Sequence, residues 1–260
     1  MTIEEMQQRK RELGLTNQDI ADRCGLSVPT VQRIMTDKEY SARTYTKAMI
    51  EMVLKEGPIL HEGEAAYKYG YMKKKQGEYT VDDYFELPDD EKYELIDGVI
   101  YDIASPTLSH QDIATSIGIQ LYSFVKENKG KCKVISSPLD LTIGKKTVIQ
   151  PDVMVICDRS KTENGKLKGA PDLVVEVTSP STKSRDHVLK LNKYKECGVR
   201  EYWIVDLKSD QVLVYLFGEE WGTDEDISLK MYSFKDKVPV SIWGGKCFID
   251  FEEIKNDLWE

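Results

Sequence analysis

The 260-residue chain carries 45 acidic and 36 basic side chains, 40% hydrophobic residues and five cysteines. That apolar content suffices for a packed core and excludes wholesale disorder, and no stretch approaches the ~20 apolar residues of a membrane span. The polar N-terminus lacks the apolar centre of a secretion signal, so a cytoplasmic protein with no membrane partner is expected.

Charge is unevenly placed. Residues 1–56 are electroneutral, so the whole net charge of −9 lies beyond them. An acidic domain meets DNA only where a metal or a local basic face offsets the repulsion. Cys24, Cys132, Cys157, Cys197 and Cys247 are scattered without a CxxC pair, and only His61, His110 and His187 could join them. Neither a zinc site nor a disulfide is expected; most of these cysteines should be ordinary buried residues.

The first 56 residues predict short helices alone. Ile3, Met6 and Leu13 mark an amphipathic segment. Thr16 caps a helix over Asn17–Cys24, which Gly25 ends, and Ser27 caps another over Val28–Met35 with Pro29 in its first turn. A helix over Ala42–Lys55 completes a small all-α domain. Gly57-Pro58 opens a linker over residues 57–77, and residues 78–260 form a second domain of mixed character.

In that domain a short helix near Val81–Glu86 precedes a hairpin over Tyr93–Ala104 that turns at Asp97-Gly98. An amphipathic helix follows over His110–Asn128, with Ile113, Ile117, Leu121 and Val125 on one face. Strand-like runs are Cys132–Ser136, Asp140–Ile143, Asp152–Cys157, Leu173–Val177, Glu201–Asp206 and Val212–Phe217, with a helix over Ser181–Cys197 among them. The tail, Ile227–Phe251, adds further strands. This order predicts an α+β fold with a mixed β-sheet core flanked by helices.

The segment TNQDIADRCGLSVPTVQRI has the grammar of a helix-turn-helix. Ala21 lets two helices approach, Gly25 supports the turn, and Ile20, Leu26, Val31 and Ile34 bury the junction. Pro29, Thr30, Gln32 and Arg33 would then face DNA. The segment resembles the helix-turn-helix of Xre-like regulators, although Asn17 stands where those usually carry Gln. The bland alternative is a helical module that binds a protein partner.

Two strand-like runs carry carboxylates where chemistry could use them. Asp152 follows Pro151 at the start of one, and Glu176 sits inside the apolar run LVVEV. A Glu so placed is costly to bury unless a cation or hydrogen bonds compensate it, and converging carboxylates suit a hard divalent cation. Asp172 and Asp206 read as strand-end residues. Tyr202, Trp203 and Tyr215 read as core aromatics, and Lys73–Lys75 as a solvated linker patch. Asp186, Lys190 and Tyr194 recur every four residues and share a helix face.

Glu94 in YELIDG, His110 in SPTLSH, QPDV, VVEVTSPST, the D-x-x-x-K-x-x-x-Y helix and GVREYWIVD together strongly resemble the Uma2 family. That family belongs to the PD-(D/E)XK restriction-endonuclease-like superfamily, and the resemblance covers about Tyr79–Phe217. It implies a DNA endonuclease using Mg²⁺ or Mn²⁺, with Asp152 and Glu176 as metal ligands. It further implies Lys190 as the catalytic lysine and Glu94 as an additional acidic group. Thr178 stands where the superfamily name places its lysine; Lys190 matches the displaced position, and Lys193 is the fallback. His110 either approaches the site or only caps and packs its helix. Nuclease folds of this kind often pair to cut both strands, so a homodimer is the working expectation. The rival is a DNA-binding regulator whose nuclease fold is an inactive scaffold or dimerisation platform.

Overall fold

The computed structural model describes residues 1–24, 28–36, 47, 50–51, 53–54, 74–88, 92–103, 105–163, 166–178, 189–218 and 227–259. The chain divides into two compact units. One comprises Met1–His61 with Ser181–Asn192, the other Glu62–Pro180 with Lys193–Glu260.

In the first unit, α1 (Ile3–Glu12) opens with a reciprocal cap. The Glu5 amide donates to the Thr2 hydroxyl and the Thr2 amide to the Glu5 carboxylate, satisfying two otherwise orphaned donors. Helices α2 (Asn17–Cys24) and α3 (Val28–Thr36) follow. Met6, Ile20, Ala21, Val31, Ile34 and Met35 are buried with Ile50, Val53 and Leu54. Polar staples finish the bundle: Gln7 Nε2 donates to the Met35 carbonyl at 2.7 Å and Arg9 Nε to that of Leu54 at 3.0 Å. The expected turn residues Gly25, Leu26 and Ser27 lie outside the described residues. So do most of the expected helix over Ala42–Lys55 and of the linker.

The second unit is α+β. Helix α4 (Val81–Phe85) leads to the hairpin of β1 (Tyr93–Ile96) and β2 (Val99–Asp102), which turns at Asp97 and Gly98, both at positive φ. Helix α5 (Leu108–Glu127) starts two residues earlier than its hydrophobic spacing suggests, because Thr107 accepts the His110 amide and sets the cap. Strands β3 (Lys133–Ser136), β4 (Leu141–Ile143), β5 (Thr147–Ile149) and β6 (Val153–Ile156) follow. Next come the short β7 (Thr162–Glu163) and β8 (Lys166–Leu167), then β9 (Leu173–Thr178). Helix α6 (Leu191–Cys197) precedes β10 (Glu201–Asp206) and β11 (Gln211–Phe217). The tail holds β12 (Ile227–Ser233), β13 (Lys237–Val240), β14 (Cys247–Asp250) and α7 (Phe251–Asp257). Of the expected Ser181–Cys197 helix, the part before residue 189 lies outside the described residues.

Among the described residues the strands form not one sheet but two larger ones and a two-stranded ribbon. The first runs β2-β1-β5-β4-β8-β7, the second β12-β11-β10-β9-β6-β3, and β13 pairs with β14. The second sheet is mixed: β9 and β10 run parallel, while β6 with β9 and β10 with β11 run antiparallel. Residues alternate between its faces. Val153, Val155, Leu173, Val175, Val177, Trp203 and Val205 pack in one cluster with Ile113, Ala114, Ile117 and Leu121 of α5 and Phe251 and Ile254 of α7. Burying each such aliphatic side chain contributes about 1.5–3 kcal/mol. Glu176, between Val175 and Val177, belongs to the opposite face, with Tyr202.

Cys132 and Cys157 form a disulfide, contrary to the sequence expectation. Antiparallel pairing of β3 with β6 sets Lys133 against Ile156, which brings the two cysteines to the next rung. Their scatter along the chain concealed a cross-strand pair. Cys197 and Cys247 are free, and Cys247 is buried.

Candidate active site

The second sheet supplies the centre of the site. Val153 faces Val175 across the β6–β9 pairing, and continuing that register places Asp152 opposite Glu176. Asp152 stands just outside its strand, where Oδ2 accepts the Val177 amide at 2.7 Å and lies 3.3 Å from His110 Nε2. Thr107, not His110, caps α5, and the His110 imidazole reaches the Asp152 carboxylate. Glu176 is buried at 3% exposure, and the Tyr194 hydroxyl of α6 donates to its Oε1. Burial, with Glu176 and Tyr202 beside it, pushes Tyr194 well above the ordinary tyrosine range, so it remains a donor at neutral pH.

Glu94 comes from the other sheet. It is buried on β1, and its Oε1 accepts the Gln150 amide at 3.1 Å, two residues before Asp152. The link is topological: β5 pairs with β1, and the chain leaving β5 runs through Gln150, Pro151 and Asp152 into β6. Gln150 anchors that crossing, its Nε2 donating to Asp140 Oδ1 at 2.9 Å and to the Tyr84 hydroxyl at 3.3 Å. Burial and the Asp140 carboxylate raise Tyr84 far above its usual value.

Lys190 is buried at 4% exposure in helical backbone immediately before α6, four residues ahead of Tyr194. A solvated helix lysine would not be so placed, and a buried ammonium needs compensation. It groups with the first unit, whereas Lys193 and Tyr194 group with the second. Lys193, the fallback, is engaged by Asp97 and Glu196, each at 2.9 Å. Asp172 is structural: it accepts the Cys157 amide at 2.7 Å and pairs with Arg200 at 2.9 Å and Lys161 at 3.3 Å. Asp206 ends β10 and receives the Lys208 amide at 3.0 Å, a turn role as expected.

Residues 81–229 match the family Uma2, described as "Putative restriction endonuclease". The chain belongs to the Uma2 family. A Synechocystis protein named "Uncharacterized protein slr1290" is 29% identical over 162 residues, covering 62% of this chain and 82% of that protein. The crystal structure of "a putative nuclease belonging to DUF820" from Anabaena variabilis aligns with a TM-score of 0.54 at 22% identity. That alignment covers 68% of this chain and 97% of the other, and it is a likeness of fold. Residues 13–38, spanning α2 and α3, match "Bacterial regulatory proteins, crp family". The sequence grammar pointed to Xre-like regulators; the match is instead to the crp family, and it fits a helix-turn-helix over the same segment. The Uma2 match encloses Glu94, His110, Asp152, Glu176 and Lys190.

Sequence reasoning gave Tyr194 a helix face but no partner, and passed over Gln150, Tyr84 and Asp140. The glutamine of QPDV was the available signal for the second group. A strand-borne Glu facing a helical Tyr left no signal without the pairing of sheet and helix. No described helix is long and apolar enough to cross a membrane.

A divalent cation fits the donors present. Among the described residues no three or more His, Cys, Asp and Glu side chains gather as a metal cage. Mg²⁺ does not require one, since it keeps several waters and takes one or two carboxylates alongside substrate phosphates. Asp152 and Glu176 offer that hard-oxygen pair.

Proposed function

We propose that this Uma2 protein is a Mg²⁺- or Mn²⁺-dependent endodeoxyribonuclease held on DNA by its N-terminal helix-turn-helix. The reading rests on one observation above others: the β6–β9 register, continued one residue, sets Asp152 opposite Glu176, and each carboxylate accepts from a protein donor. Asp152 and Glu176 would hold the ion, with Glu94 as a nearby acidic group. When bound, the ion supplies Lewis acidity and charge neutralisation at a phosphodiester. The resemblance to Uma2 names Lys190 as the catalytic lysine, whose ammonium would stabilise negative charge developing on the phosphate and orient the attacking water. The two domains, residues 1–56 and 78–260 joined by 57–77, would divide positioning from cleavage, in a homodimer able to cut both strands.

The test pairs calorimetry with plasmid cleavage for the full-length protein and Asp152→Asn. Saturable Mn²⁺ binding and cleavage in the wild type, with both lost in the variant, is the expected result. Binding that Asp152→Asn leaves unchanged removes this site. Sequence-specific DNA binding without cleavage at any metal concentration would favour the regulator.

Pro29, Gln32 and Arg33 are exposed on α3, and Thr30 is half-buried. These four would contact DNA. Arg33→Ala is expected to weaken DNA binding and, if Arg33 meets a phosphate, to lower the salt slope by about one. Titrations at several salt concentrations measure both, and unchanged affinity would remove Arg33 from the interface.

A further inference from the structure

Glu176 is flanked on β9 by Val175 and Val177, and one side chain that reaches it comes from another element. The Tyr194 hydroxyl donates to Glu176 Oε1 from a fully buried position on α6. The Tyr194 ring lies against Tyr202 with centroids 4.8 Å apart, and Tyr202 stacks on Tyr215 at 6.0 Å. Tyr202 and Tyr215 face each other across β10 and β11, so the donor leans on a rung of the sheet. Its hydroxyl cannot swing away without disturbing that packing.

A glutamate side chain has enough torsional freedom to turn its carboxylate through many orientations. A cation ligand requires one. We propose that Tyr194 is a positioning residue: by occupying Oε1 it fixes the plane of the Glu176 carboxylate opposite Asp152 and so prepares the pair for a divalent cation. This rests on Asp152 and Glu176 being the cation ligands. Donors of this kind orient ligands without touching the ion, and their loss typically costs 10- to 100-fold in metal affinity.

Tyr194→Phe separates positioning from packing, because it keeps the ring and deletes only the donor. Mn²⁺ affinity of the full-length wild type, Tyr194→Phe and Glu176→Gln is measured by calorimetry, with thermal melting of the same samples. The expected result is roughly 10-fold or greater weakening in Tyr194→Phe, with melting lowered by no more than a few degrees. Glu176→Gln should abolish saturable binding. Equal affinity in wild type and Tyr194→Phe overturns the positioning role while leaving the site intact. Loss of the melting transition in Tyr194→Phe also overturns it, since the hydroxyl would then serve the fold. Wild-type binding that is absent, or untouched by Glu176→Gln, removes the ligand pair and the proposal with it.

Discussion

Lys190→Met is expected to leave Mn²⁺ binding within a few-fold of wild type and to slow DNA cleavage by about 10²–10³-fold, the usual cost of deleting one charge-stabilising group. A cation that acts only on the developing phosphate charge lowers the cleavage step and spares metal affinity. The burial of Lys190 makes methionine the informative replacement, because it keeps the apolar stem and removes the charge. Lys193→Met is the internal control. The Lys193 ammonium is held by Asp97 and Glu196, so its removal should change cleavage little. Single-turnover cleavage at saturating metal reads the two variants side by side. If Lys193→Met is the slow enzyme and Lys190→Met the fast one, the lysine role passes to Lys193. If both cleave at the wild-type rate, neither Lys190 nor Lys193 is an essential cation.

The short apolar run LVVEV makes β9 and its anomalous glutamate legible from the residues alone, because such a run is a local property of the strand. The α5 stripe is legible for the same reason at a helical period. Thr147–Ile149 is not, since three residues carry too little pattern, and without β5 the strands suggest a single sheet. That omission hides the route by which Glu94 on one sheet comes within reach of Gln150 and the entry to β6. Cys132–Cys157 and Tyr194–Glu176 are illegible for a different reason. Both depend on which elements lie side by side, and no spacing in the chain encodes that. The site residues named from sequence rest on a resemblance over many ordered motifs; the donors that orient Asp152 and Glu176 emerge only from strand pairing, for the Val177 amide, and from the packing of helix on sheet, for the Tyr194 hydroxyl.

Glu201 carries the largest expected effect on stability. Its carboxylate is fully buried on β10 and accepts Trp203 Nε1 at 2.8 Å, the Ser241 amide at 3.0 Å and the Ile242 amide at 2.8 Å. It thus ties the second sheet to the turn that follows β13 and holds the indole of a core tryptophan. Glu201→Ala strands three donors where water has little access, and about 2–4 kcal/mol should be lost, since each unsatisfied buried group costs ~1–3 kcal/mol and the structure relaxes in part. Glu201→Gln keeps an acceptor oxygen and should lose less. pH distinguishes the two replacements further. Burial raises the Glu201 carboxyl above its ordinary value of 4.5, partly opposed by those same hydrogen bonds. A carboxyl whose folded pKa exceeds its unfolded one favours the folded state while protonated, and that contribution is lost as pH rises through the folded pKa. The margin of wild type over Glu201→Gln should therefore be greatest below pH 4.5 and shrink as pH rises toward neutrality. Denaturant melts of both proteins across that range measure it. A margin that instead widens with pH would mean that the three donors outweigh burial, and that Glu201 serves the fold best as an anion.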